Sequence, residues 1–350
     1  MDTMTTAPRR WIRSTCLGAL AAVIAIAAPV AAASPESART ALRLELADEL
    51  LARADAESRL AGALLLAEAD ALSGAPGMNF LRAENAFERL RAGSRDPRVL
   101  WIAATACPFA PSVCDAEGAR AGLRAHDGDN GAAWLVAAIA ALDAGDDAAL
   151  AQALAGIGAS PRFDLRSQSL VHPIHAALRP LTHDARWQAW AAELLQTESA
   201  RVDGGLAALV LSAEFGLAVA FPDVGRLAGW CVSPAARVAG QRRACERAMA
   251  AMAANASTVL EARIGHAAAA RLTSDQRRRA AHARGYESLS WLAVAARGAP
   301  AREPEAVRAE LARLMVAPSE LSWLRANVAA RGLRELPPSL PATPRVARRD

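Results

Sequence analysis

One tyrosine and six phenylalanines are all the chain offers of those two residue types across 350 positions, and aromatics as a whole make up 4% of it. A stacking platform for bases needs more than that, set in a strongly basic face, so a DNA or RNA role is disfavoured. The charge is close to balanced as well. A net of +4 falls to +2 once residues 1–33, which carry Arg9, Arg10, Arg13 and Asp2, are set aside. β-branched residues are sparse too, and no run alternates Val, Ile or Thr with polar residues as a strand requires. Nor is there a G-x-S-x-G elbow, an H-E-x-x-H pair or a phosphate-cradling glycine loop. No cofactor is implied. What dominates instead is Ala, Leu, Arg and Glu, all good helix formers, and the fold class expected is all-α.

The N-terminus carries an address. Arg9, Arg10 and Arg13 precede an uncharged run from Cys16 to Ala33, and Ala31 and Ala33 stand before Ser34 as an A-x-A cleavage site requires. Residues 1–33 read as an export signal, which places the protein in the periplasm or outside the cell. A retained anchor is the alternative, against which Pro29 and the small-residue end both speak. Cys16 lacks the small apolar residues expected before a lipidated cysteine, and Arg13 stands where a twin-arginine signal prefers an apolar residue. The chain beyond Ala33 is longer than one hydrophobic core serves, so it must split into domains or extend as a solenoid.

A recurrence favours the solenoid. Arg95, Asp96, Pro97 and Trp101 return as Gly128, Asp129, Asn130 and Trp134, each set opening an apolar run. The offset, about 33 residues, is the length of two short helices and two turns. The stretch from Asp127 to Trp134 resembles the junction of tetratricopeptide repeats, with Gly128 where that family usually has Pro, Gly145-Asp146 at the inter-helix turn and Ala116 at the small-residue packing position. This resemblance covers roughly 60 residues. It implies a right-handed α-α superhelix of helical hairpins, over residues 34–336, that binds a peptide or protein surface along a concave face. Trp101 and Trp134 would then occupy equivalent slots in the stack.

Along the chain, Leu42, Leu46, Leu50, Leu60 and Leu64 recur at helical spacing, as one helix to about Leu72 or two with a break near Asp55. Further helices are expected from Asn79 to Gly93, from Asp96-Pro97 past Trp101, and over Asp146–Ala155, Arg162–Leu170, Pro173–Leu178 and His183–Arg201. Trp187 and Trp190 share a face and read as core. From Gly204 to Phe221 only Ser212 and Glu214 interrupt an apolar run. Glu214 would cost roughly 3 kcal/mol in mid-membrane, so this reads as the most buried helix of a protein without a membrane span after signal removal. Thr273 to Gln276 has the form of a capping box, with Gly285 ending that helix, and Leu289-Ser290-Trp291-Leu292 returns as Leu321-Ser322-Trp323-Leu324. Beyond Leu336, Pro337, Pro338, Pro341 and Pro344 with Arg345, Arg348 and Arg349 make residues 337–350 read as a disordered tail.

Four cysteines follow the signal. Cys107 and Cys114 flank a loop containing Pro108 and Pro111, and Cys231 and Cys245 flank the turn at Ser233-Pro234. In an oxidising compartment the local pairs Cys107–Cys114 and Cys231–Cys245 are the simplest of the three possible connectivities. A four-cysteine zinc site is the competing arrangement, but spacings of six and thirteen intervening residues are not the tight knuckles zinc uses.

Candidate chemistry is confined to two places. His172, His175 and His183 with Asp184 could ligate zinc or copper, although Pro173 starting a helix accounts for the same residues. Glu214, a carboxylate in an apolar helix, could act as a general acid with a raised pKa or pair with an arginine from a neighbouring helix. The leading expectation is an exported scaffold that binds another protein or a peptide. The alternative is an envelope enzyme or metal protein using Glu214 or the three histidines.

Overall fold

The structure, a computed structural model, describes residues 35–73, 78–106, 115–166, 168, 170–216, 222–238, 240–297 and 303–333. The expected signal, the expected tail and the Cys107–Cys114 pair lie outside the described residues. Among those described, every regular element is a helix: α1 (Pro35–Ala52), α2 (Ala56–Ser73), α3 (Met78–Arg91), α4 (Pro97–Ala106), α5 (Ala116–Asp127), α6 (Gly131–Ala144), α7 (Asp147–Ala159), α8 (Val171–Leu181) and α9 (Ala185–Leu195). After a 3-10 turn at Ser199–Arg201 come α10 (Gly204–Gly216), α11 (Val224–Val232), α12 (Pro234–Val238), α13 (Arg242–Asn255), α14 (Val259–Leu272), α15 (Gln276–Arg297), α16 (Pro304–Val316) and α17 (Glu320–Ala330).

The break near Asp55 is real, because the Asp55 carboxylate accepts from the Ser58 amide at 2.7 Å and so starts a second helix. Leu46, Leu50 and Leu60 are fully buried on either side of it. Successive hairpins follow, α4 against α5 and α6 against α7, with α2, α4 and α6 in contact as a row. Their caps correct the alignment of the repeat. Asp96 accepts from the Arg98 amide at 2.9 Å and Asn130 from the Ala132 amide at 3.1 Å, so Asp96 corresponds to Asn130. Asp129, the residue that the sequence pattern matched to Asp96, is taken up by an ion pair with Arg162.

That one-residue slip means Trp101 and Trp134 do not occupy equivalent slots. Trp101 is buried, whereas Trp134 is partly exposed and donates from Nε1 to the Gly128 carbonyl at 2.8 Å. The equivalent of Trp134 is Leu100. A Cβ on Gly122 of α5 would stand 3.2 Å from Leu100, and one on Gly156 of α7 would collide with the Trp134 ring. Leu100 and Gly122 thus recur together as Trp134 and Gly156, the same contact across the second hairpin.

After α7 the neighbour-on-neighbour order stops. Helix α7 packs on α13, while α8 turns back onto α1 and α2 and lies against α10, which also meets α9 and α16. Helices α13, α14 and α15 pack in sequence, and α15 meets α17. As expected, α10 is deeply buried at Leu206, Ala207, Ala208, Leu211 and Ser212. It approaches α8 so closely that a Cβ on Gly216 would meet Val171 at 2.7 Å. No helix of the described residues is long and apolar enough to cross a membrane.

Cys231 of α11 and Cys245 of α13 are disulfide-bonded, with an S–S distance of 2.12 Å and Cα atoms 5.5 Å apart. Closing a loop of that length stabilises the fold by about 3 kcal/mol on chain-entropy grounds. Three expectations are corrected. The cap of α15 is Asp275, which accepts from the Arg277 amide at 2.8 Å, and Thr273 Oγ1 instead accepts from the Asp275 amide. Gly285 does not end that helix, which continues to Arg297; it leaves room for the His266 ring. Helix α9 stops at Leu195, where Gln196 turns into the left-handed region at φ 53°.

Candidate functional site

The stretch expected to be a helix from Arg162 to Leu170 is where the structure departs furthest from the sequence pattern. Residues 160–166 form no helix, and Arg162 and Phe163 are pinned by isolated parallel bridges from Asn130 to Arg162 and from Phe163 to Ala256. Backbone groups on both sides of the bridges find partners. Arg162 O accepts from the Gly131 amide at 2.8 Å, the Phe163 amide donates to Asn255 O at 2.9 Å, and Phe163 O accepts from the Ser257 amide at 2.8 Å. The Asn130 side chain clasps the main chain of Asp164, donating to Asp164 O at 2.9 Å and accepting from the Asp164 amide at 2.8 Å. A helix would have given these groups intrahelical bonds; Pro161 and two asparagine-bearing turns give them tertiary ones instead.

Charge fixes the same segment. Asp127, at the last position of α5, is buried, and its carboxylate takes both Arg166 Nη2 at 2.8 Å and Arg162. An acid at a helix C-terminus opposes the dipole, so only such pairing makes the position tolerable. Arg162 reaches on to Asp129 at 2.9 Å and holds that carboxyl below its usual range, chiefly by hydrogen bonding. Arg166 itself adopts φ 56°, a left-handed conformation uncommon for a side-chain-bearing residue, with its amide held at 2.8 Å by the Asp164 carboxylate.

Where this strap ends, a cleft of about 210 Å³ opens. Asp164, Arg166, Gln168 and His172 line one side of it, and Ser257, Ala317, Pro318 and Ser319 the other. Three helices begin around it, α8, α14 and α17. Ser257 Oγ bonds the Asp164 carboxylate at 3.2 Å, and Ser257 O accepts from the Leu321 amide at 3.1 Å. With its amide turned to satisfy both neighbours, Gln168 donates to Ala317 O at 3.2 Å and accepts from the Glu320 amide at 3.1 Å. Glu320 in turn accepts from the Val259 amide at 3.2 Å, at the start of α14.

Behind this wall lies Glu261, fully buried, with Oε2 making no hydrogen bond. Burial pushes its carboxyl up to about 8, the nearby charges of Glu320 and Asp164 add to that, and hydrogen bonds from Thr258 pull against it. It therefore carries a proton at neutral pH. Thr258 and Glu261 have the spacing of a capping box, the one sequence signal that pointed here.

Of the residues singled out by sequence, His172 is the one that reaches the cleft. His175 lies one turn further along α8, partly buried, and is held below the usual histidine range by burial and by the charges of Arg179 and His172. His183 is exposed beyond the end of α8, and among the described residues no group of three or more His, Cys, Asp or Glu is placed to hold a metal ion. Glu214 sits elsewhere, on α10. Burial raises its carboxyl, and the charges of Arg43 and Arg39 on α1 oppose that rise. The Arg43 guanidinium lies over the rings of Trp190 at 5.2 Å and Phe215 at 5.8 Å, and Arg39 pairs with Glu193. As expected, Trp187 and Trp190 are buried, stacked with centroids 6.1 Å apart.

No family model, no curated protein and no solved structure matches the chain.

Proposed function

We propose that this protein is an exported binding scaffold of the periplasm or the extracellular space, sent there by residues 1–33. The hairpins α4–α5 and α6–α7 would form a short right-handed superhelical stack of the tetratricopeptide kind, and the cleft beside Arg166 would hold an extended segment of another protein or a peptide. The observation that carries this reading is the clasp of Asn130 on the Asp164 main chain. It is the chemistry by which a helical frame grips non-helical backbone, and the cleft is lined by Asp164 and Arg166 of that strap. Arg166, His172 and the Ser257 and Ser319 hydroxyls supply donors and acceptors for a peptide, and Ala317 with Pro318 supplies an apolar side.

The repeat reading has its own support in the return of the Asp96 cap at Asn130 and of the Leu100–Gly122 contact at Trp134 and Gly156. An envelope enzyme or metal protein would need Glu214 or His172, His175 and His183 to converge. Glu214 instead keeps company with Arg39, Arg43 and Trp190 on α1 and α9.

A photo-crosslinking amino acid tests the binding reading. Placed at Ser319 in the cleft it is expected to give one dominant adduct in periplasmic extract; at Val294, exposed on α15, it is expected to give none of that adduct. The same adducts at both positions, or none at Ser319, would contradict a binding role for the cleft.

A further inference from the structure

Charge is unevenly placed along this chain. From Arg242 to Arg284 there are nine arginines against Glu246, Glu261 and Asp275, a net of +6, whereas the whole chain carries +4 and the remainder therefore −2. Folding gathers most of that excess at one end of α13, α14 and α15. Arg242 of α13 donates from Nη2 to Leu272 O at 2.9 Å, and Arg279 of α15 donates from Nη2 to Thr273 O at 2.9 Å, so two guanidiniums sit on consecutive carbonyls where α14 ends. Arg243, Arg271, Arg277 and Arg278 are exposed around them. A helix C-terminus favours cations, which gives Arg242, Arg271 and Arg279 a structural reason to be there. Arg243, Arg277 and Arg278 have none, because they stand in the first turns of α13 and α15, where the helix dipole disfavours positive charge. Asp275 reaches Arg278 at 3.8 Å, and among the described residues no carboxylate pairs with the other five. Glu246 on α13 borders the patch, as do Asp146 and Asp147 at the start of α7, on the side where Gln241 donates to Asp147 O at 2.8 Å.

We propose that this end of the three helices is a docking surface for an anionic lipid membrane, whose headgroup phosphates meet Arg243, Arg271, Arg277 and Arg278. The composition of the patch favours lipid over the other polyanions. A protein interface is built on an apolar or aromatic centre that can be desolvated, and the large hydrophobic side chains exposed among the described residues, Met78, Leu81, Val294, Val316 and Leu333, lie elsewhere. A nucleic acid calls for stacking aromatics, and the single tyrosine, Tyr286, is already covered by the Arg263 guanidinium 4.7 Å from its ring centroid. A layer of anionic headgroups needs neither, since it attracts arginines at its surface by charge. Charge without an apolar anchor gives reversible attachment. The patch is held firm by the ties along α14 and α15, the hydrogen bond between His266 Nδ1 and His282 Nδ1 at 3.0 Å and that from Arg263 to the Tyr286 hydroxyl at 2.7 Å. Helix α14 starts beside the cleft and ends at the patch, so its 14 residues keep the two about 20 Å apart and attachment leaves the cleft open.

The test is co-sedimentation of the full chain with vesicles, phosphatidylglycerol mixed into phosphatidylcholine against phosphatidylcholine alone. Residues 1–33 are the same in every variant, so differences between variants report the patch. Binding is expected to be tighter to the anionic vesicles and mostly lost as salt is raised to about 0.5 M. Arg277→Gln combined with Arg278→Gln is expected to weaken it roughly thirtyfold, and Arg243→Gln, on α13, roughly fivefold, from a factor of about five per arginine at an anionic surface. Arg59→Gln combined with Arg89→Gln removes the same charge from exposed positions on α2 and α3, and is expected to change binding by less than about twofold. Equal affinity for both vesicles, binding that salt does not weaken, or equal losses in the two double variants would each overturn the docking surface. So would retention of the chain on polyglutamate with none on anionic vesicles, which would assign the patch to an acidic protein.

Discussion

Replacing Asp127 by alanine is expected to lower the stability of the protein by about 3 kcal/mol, the low end of what breaking a buried ion pair costs. The carboxylate is the common partner of Arg162 and Arg166 and also accepts from Asn130 Nδ2 at 2.9 Å. Removing it leaves Arg166, whose side chain is only 16% exposed, without that anion while its backbone is in a left-handed conformation. Arg162 keeps Asp129 and reaches water, which is why the low end applies. In urea unfolding the midpoint should fall with the slope unchanged. Because Asn130 would lose one of its positioning contacts, the cleft should loosen with it. A loss below about 0.5 kcal/mol would mean that Asp127 does not hold the strap.

The second large effect depends on pH. The Glu261 carboxyl sits at about 8 in the folded protein against an ordinary value of 4.5. Between those two values the folded state keeps a proton that the unfolded chain has released. The Glu261 contribution to stability is therefore full below pH 4.5 and is lost as pH rises through 8, by an amount on the order of 5 kcal/mol in total. Glu261→Gln keeps a side chain of the same shape that can accept from Thr258 and never ionises. It should match the natural protein near pH 5 and be the more stable of the two at pH 9, with a flatter profile between. Thermal unfolding across that range measures it; parallel profiles would show that burial does not hold the proton on Glu261.

Much of the architecture could be read in advance from local pattern. Leu42, Leu46, Leu50 and Leu60, buried as their spacing demands, mark two helices, and the Trp187 and Trp190 pair marks a core. Cys231 and Cys245 could be paired because the turn between them is local. The cleft could not, because its parts are held across the chain. Asn130 and Asp164 are 34 residues apart, and Ser257 and Asp164 are 93 apart. Phe163, Leu165 and Leu170 have a spacing compatible with a helix, and only those remote partners hold Arg162 and Phe163 in parallel bridges instead. His266 and His282 are 16 residues apart on different helices, and nothing in either local stretch reveals that they meet. The repeat was visible but misaligned by one, since Asp96 and Asp129 look alike while Asn130 is the residue that caps.

Everything proposed for the cleft depends on the strap being a fixed part of the fold. Native-state hydrogen exchange at four amides, those of Gly131, Phe163, Asp164 and Ser257, measures that directly. Each donates from the strap or to it at 2.8–2.9 Å. They are expected to exchange as slowly as amides inside α6 and α13, and to speed up together in Asp127→Ala. Exchange of these four at the rate of exposed turns, in the natural protein, would contradict the account.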